Sequence, residues 1–192
     1  MSKHRLVAFS DGVLAVIITI MVLEMKIPRG ASPSAIESVV PEFLIYALSF
    51  ANVGIYWNNH HHLLYAVEKI DGRVMWANLL LLFWLSLIPF TTGWMGVQNF
   101  ALVPTAVYGM VLFLSAVSWV LLQSALISAN GSESTLARAV GRDVKGIASL
   151  VMYAVGIGVS YVNEWVAIGM YVLVAVIWIV PDLRIERAVA GK

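Results

Sequence analysis

Apolar residues run along this chain in stretches too long for the elements of an ordinary soluble domain, and the polar residues gather between them. Six stretches stand out between the charge clusters: 6–27, 41–65, 74–97, 102–128, 144–162 and 165–180. A helix needs about 20 apolar residues to cross the hydrocarbon core of a bilayer. Each stretch therefore predicts a transmembrane helix, the last with help from its flanks. Turn-forming residues punctuate the breaks: Pro28-Arg29-Gly30 and Ser32-Pro33-Ser34, then Asp71-Gly72, Asn130-Gly131-Ser132, Asn163-Glu164 and Pro181-Asp182. The turn near Gln98-Asn99 carries no charge and is the least marked boundary. The expected fold is all-α, a single six-helix transmembrane unit over residues 1–192.

The basic residues orient this unit. With six crossings both ends share a side, which then holds Lys3, Arg5, Lys69, Arg73, Arg138, Arg142, Lys145, Arg184, Arg187 and Lys192, against only Lys26 and Arg29 opposite. Loops rich in Lys and Arg stay in the cytoplasm, so both termini are expected there, in a multi-pass protein of the cell membrane. The first stretch is not read as a cleaved signal, because it holds Asp11 and ends in Glu24-Met25-Lys26 without a small-residue cleavage pattern.

Composition agrees. The chain is 60% hydrophobic and 12% charged, where a soluble domain has roughly 25% charged residues, and its mean hydropathy is +0.86. Six crossings use about 120 residues and leave about 70 for ends and connections. That argues against a soluble enzyme, a nucleic-acid binder or a receptor with a large ectodomain. A net charge of +1 suggests no polyanionic partner, and the lack of cysteine excludes thiol catalysis and thiolate metal sites.

On the first helix, Val16, Ile20, Leu23 and Ile27 follow 4, 3, 4 spacing and form a narrow stripe, continued toward the N-terminus by Gly12, Phe9 and Arg5 and bordered by Thr19. Periodicity alone lets such a stripe face lipid or a neighbouring helix. Asp11 lies on nearly the opposite side. A carboxylate in a membrane helix costs on the order of 3 kcal/mol at the bilayer centre and normally finds a partner. Counted from the nearest charge cluster, Asp11, His60 and Asn78 all lie about 8 to 12 Å inside the cytoplasmic boundary. One polar layer is expected there, with Ser10 and Trp57 adding donors. It either clamps three helices together or takes a direct part in permeation.

Three histidines in a row, His60-His61-His62, point about 100° apart and do not converge on one metal, so no metal site is expected. His60 is assigned to the buried layer, and one of His61 and His62 to the cytoplasmic headgroups. The seven tryptophans read mostly as an interfacial belt. Asp11 is the sole acidic residue deep in a span, too few for intramembrane catalysis, so neither enzyme activity nor a cofactor is expected. Two other classes stay open: a proton-coupled small-solute transporter using Asp11 and His60, and a non-conducting scaffold.

Arg5-Leu6-Val7-Ala8-Phe9-Ser10-Asp11-Gly12, with Thr19 eight residues after the aspartate, resembles the RxxxFSD signature of the transmembrane protein 175 family of potassium channels. Trp57-x-x-His60 is similar to that family's second-helix pattern, and Asn78 followed by Pro89-Phe90 to its third. The likeness covers roughly residues 5–92. It implies that the first helix lines a central ion pathway, with the signature residues Arg5, Phe9, Ser10 and Asp11 organising contacts to Trp57, His60 and Asn78. A chain with one six-helix unit is expected to assemble as a homotetramer, with potassium ion as permeant and membrane lipid around it. Val16, Ile20 and Leu23 correspond to the family's aliphatic constrictions, with Ile27 beyond them and Thr19 as the polar residue beside them. The chain has no Thr-Val-Gly-Tyr-Gly string, so selectivity is expected to arise from pore width and hydration.

Overall fold

The structure is a computed structural model, described here over residues 2–141 and 143–179. All the regular structure among these residues is helical: α1 (Lys3–Leu23), α2 (Pro33–Glu37), α3 (Val40–Tyr65), α4 (Gly72–Ser86), α5 (Ile88–Val97), α6 (Leu102–Asn130), α7 (Thr135–Val140), α8 (Val144–Ser160) and α9 (Glu164–Ile179). Helices α2 and α7 are short pieces in connections that the hydropathy pattern leaves as loops.

Local chemistry sets the helix ends. Asp71 accepts from Val74 N (2.9 Å) to cap α4, Asp143 from Gly146 N (2.9 Å) to cap α8, and Asn163 from Trp165 N (3.0 Å) at the start of α9. Each supplies an acceptor to an amide that the helix itself leaves unpaired. Prolines stand in the first turn of α2, α3 and α5, where a missing N–H costs nothing. Pro89 also splits the expected 74–97 helix, because it has no N–H to offer the preceding turn. The result is a break at Leu87, between α4 and α5.

Three helical stretches, Lys3–Leu23, Gly72–Val97 and Leu102–Asn130, are long and apolar enough to cross a membrane, whereas α8 and α9 are apolar but shorter. Helix α3 has the length, at 26 residues, but carries Ser49, Asn52, Asn59 and His60. All four are buried, so its polarity is turned into the bundle rather than toward lipid.

Helix α6 forms the middle of the bundle, packed on α4, α5, α8 and α9, while α1 lies to one side against α3, α4 and α5. Consecutive long segments run antiparallel, and polar ties fix both ends. At one end Lys3 Nζ donates to the Val67 carbonyl (2.7 Å). There Asn130 also holds the α3–α4 connection, accepting from Lys69 N (2.9 Å) and donating to Lys69 O (2.9 Å). At the other end Lys26 pairs with Glu42 at 3.3 Å. Among the described residues, Lys3, Lys69 and Arg73 therefore gather at the first end and Lys26 at the second. Arg142, Arg184, Arg187 and Lys192 lie outside the described residues.

Close packing is tightest where Tyr171 of α9 crosses two glycines. A Cβ on Gly109 of α6 would overlap the Tyr171 hydroxyl, and one on Gly156 of α8 would stand 2.7 Å from its ring. These positions let three helix backbones approach around one aromatic side chain.

Candidate functional site

Helix α1 has two unlike sides. Leu6, Ser10, Leu14, Ile17 and Met21 recur every three or four residues and are buried against the bundle. Phe9, Val16, Thr19, Ile20 and Leu23 are exposed in the isolated subunit, Leu23 at 79% and Val16 at 54%. Val16 and Ile20 also border an open, mainly apolar groove of about 1150 Å³, whose far wall is Phe90 and Trp94 of α5. Ile27 does not continue the stripe. The helix ends at Leu23, and Glu24 to Ile27 form a turn and an irregular segment, so helical spacing no longer places Ile27.

The Thr19 hydroxyl is the polar group on this exposed side. Its Oγ1 lies 2.9 Å from the Val16 carbonyl and 3.1 Å from that of Ala15. The hydroxyl proton is thus spent on the helix, and the oxygen keeps lone pairs to offer a cation. Arg5, at the cytoplasm-proximal end of the same helix in the sequence reading, is exposed.

The expected polar layer resolves into two separate contacts. In the interior, His60 Nε2 meets Asn78 Oδ1 at 2.7 Å, Asn78 Nδ2 donates to Ser10 Oγ at 3.0 Å, and Ser10 Oγ donates to the Leu6 carbonyl at 2.9 Å. This chain joins α3, α4 and α1, and Ser10 and Asn78 are completely buried. With Asn78 Oδ1 accepting, the geometry assigns the Nε2–H tautomer to His60. Asp11 stands apart: its Oδ1 accepts from Trp57 Nε1 at 3.1 Å on the partly exposed α1–α3 seam. The reason is rotational, because Ser10 and Asp11 point about 100° apart on one helix and cannot both face Asn78. No hydrogen bond links Asp11 to His60 among the described residues.

Some supports carry no sequence signal strong enough to find them. Ser49 of α3 meets Thr92 of α5 at 2.7 Å and Tyr108 of α6 at 3.1 Å, a buried hydroxyl cluster whose members look like ordinary small or aromatic residues in apolar runs. The tryptophans divide more sharply than a belt allows. Trp119 is only 5% exposed, in the middle of α6, and Trp57 is taken by Asp11. Of the other histidines, His61 is exposed and stacks on Tyr65, while His62 is half-buried. No group of three His, Cys, Asp or Glu side chains suited to a metal occurs among the described residues.

Residues 5–89, which take in most of α1, all of α2, α3 and α4, and the start of α5, match the family model described as endosomal/lysosomal potassium channel TMEM175. A potassium channel of Chryseobacterium sp. (strain P1-3) is 50% identical over 188 residues, covering 98% of both chains. The human endosomal/lysosomal proton channel TMEM175 is 34% identical over 101 residues, 46% of this chain and 20% of its own. The crystal structure of a lysosomal potassium-selective channel TMEM175 homolog from Chamaesiphon minutus superimposes with a TM-score of 0.83 at 25% identity, covering 94% of this chain and 97% of that one. The near full-length match at half identity, joined to the signature residues on α1, α3 and α4, means that this chain belongs to the TMEM175 family.

Proposed function

We propose that the protein is a potassium-preferring cation channel of the cell membrane, assembled as a homotetramer around an axis lined by α1, with both termini in the cytoplasm. The observation that carries this reading is the exposed aliphatic face of α1 in a chain half identical, end to end, to a protein named a potassium channel. Four copies of Val16, Ile20 and Leu23 facing one axis form a hydrophobic constriction, which gates by excluding water until the side chains move aside. Thr19 Oγ1, its proton already committed, supplies the ring of oxygens that replaces part of the ion's hydration shell and gives the preference for potassium.

In this mechanism the acidic and imidazole groups do not move with the ion. Asp11 with Trp57, and Ser10 with Asn78 and His60, hold the rotation of α1 so that the stripe faces the axis. Arg5 and Phe9 continue the same face toward the cytoplasmic mouth. The carrier reading, which relies on Asp11 and His60 as a relay, loses support because the two take different partners.

The test is flux from liposomes loaded with potassium. Ile20→Asn and Leu23→Ala are expected to raise potassium flux severalfold by wetting or widening the constriction. Unchanged flux in both variants, with tetramers intact, would remove the stripe from the pathway.

A further inference from the structure

A small cavity lies between α3, α6, α8 and α9, remote from the α1 face, with a volume of about 40 Å³. Its mainly apolar walls carry polar groups from Asn52, Tyr56 and Asn59 of α3, Trp119 of α6, and Ser149 and Tyr153 of α8. Trp119 is 5% exposed, and its indole Nε1–H is buried without an acceptor among the described residues. Its polar neighbours do not relieve this. Ser149 Oγ already accepts from Trp178 Nε1 (2.7 Å) and donates to the Lys145 carbonyl (2.8 Å). Asn52 and Asn59 each give one amide N–H to the Leu48 and Ile55 carbonyls (3.1 and 2.8 Å), and each keeps an acceptor oxygen besides its second N–H.

Within hydrocarbon, an unpaired N–H has no bulk water to turn to. A buried water needs about 10–15 Å³ and two to four polar partners, and this cavity offers both. Among the described residues, none of its lining side chains carries a charge to hold a bare ion. We propose that the cavity is an internal water site, holding about one or two waters per subunit that accept from Trp119 Nε1–H and donate to the amide oxygens of α3. The waters bridge α6 to α3, on a side of α3 different from the one that carries Trp57. The middle of the bundle and the helix that holds α1 are thus joined here through exchangeable solvent, in addition to the direct Ser49–Tyr108 contact.

The purified full-length protein in nanodiscs serves for the test. Ultraviolet resonance Raman spectra of wild type minus Trp119→Phe isolate the Trp119 indole band, which is expected at the hydrogen-bonded position. A density map is expected to show a solvent peak about 3 Å from Nε1. Ala116→Leu fills the cavity from α6; it is expected to move the Trp119 band to the free-indole position and to lower the melting temperature by several degrees. A free-indole band in the wild type overturns the proposal, as does a map with a protein acceptor on Nε1. So does a higher melting temperature for Ala116→Leu with the band unmoved, the result that filling a dry void gives. If Ala116→Leu does not fold, the wild-type band and map decide.

Discussion

Trp57 on α3 donates its indole N–H to the Asp11 carboxylate on α1 at 3.1 Å, while the neighbouring Ser10 turns inward to Asn78. Two adjacent residues of one helix thus grip two different helices, and together they fix both the position of α1 and its rotation. A single contact would leave α1 free to roll about it.

The partly exposed grip is expected to be the weaker of the two. Hydrogen bonds to charged groups contribute about 1.5–3 kcal/mol when buried, and partial exposure reduces this, so Trp57→Phe should cost about 1 kcal/mol. Asp11→Asn keeps an oxygen acceptor and should cost less than Asp11→Ala. A double-mutant cycle on thermal melting measures the coupling between the two residues. In the channel reading, assembly should suffer before the potassium/sodium preference does. Intact tetramers with altered preference would place Asp11 in the ion path instead.

Asn78 is the interior grip and is expected to be much less tolerant. It accepts from His60 and donates to Ser10 with no exposure. Asn78→Ala strands a buried imidazole donor, at a cost of about 1–3 kcal/mol. Ser10→Ala should cost less, since Asn78 loses only one of its partners. Comparing the melting temperatures of the two variants checks the order, and equal losses would mean that the three side chains do not act as a chain.

Gly109 and Gly156 are expected to be intolerant for a purely steric reason. An added methyl meets Tyr171 from either side, and Tyr171 is buried with no room to retreat. Gly109→Ala should destabilise the bundle by about 1–3 kcal/mol, the usual cost of overpacking. Combining Gly109→Ala with Tyr171→Phe, which removes the overlapping hydroxyl, should restore part of the loss in a melting experiment. No recovery would place the clash elsewhere.

Asp71 makes the start of α4 sensitive to acid. The Val74 N–H above all, and then Arg73, holds its carboxyl below the ordinary carboxylate range. A depressed folded pKa means that the cap contributes fully above the unfolded value and is lost as pH falls through the folded one. Melting temperature should therefore drop on acidification below about pH 4, and Asp71→Asn, which caps without titrating, should flatten that part of the curve. An unchanged acid limb would assign the sensitivity to other carboxylates.

Much of the architecture is legible in the sequence because lipid imposes a simple rule: a segment that crosses must be apolar, helical and about 20 residues long. The six stretches reappear as helical segments, with Pro89 dividing one of them into α4 and α5. The signature on α1 and its partners Trp57, His60 and Asn78 were visible as residues at matched depth. Depth follows from counting along the chain, whereas rotation depends on which neighbour each helix meets. That is why the sequence could group Asp11, His60 and Asn78 but could not separate the Trp57–Asp11 contact from the Asn78 chain.

The tertiary structure alone decided several further points. Helix α1 ends at Leu23, which removes Ile27 from the stripe, because local turn geometry outweighs an apolar pattern that merely continues. Ser49, Thr92 and Tyr108 form a cluster, and Trp119 borders a cavity, because packing brings together residues from helices distant in the chain. What the sequence by itself determined was where the apolar helical segments lie along the chain, since hydrophobic transfer acts on each segment independently. Which polar groups meet between them was decided only in the folded bundle, since a hydrogen bond depends on the relative rotation of two helices and no single segment carries that information.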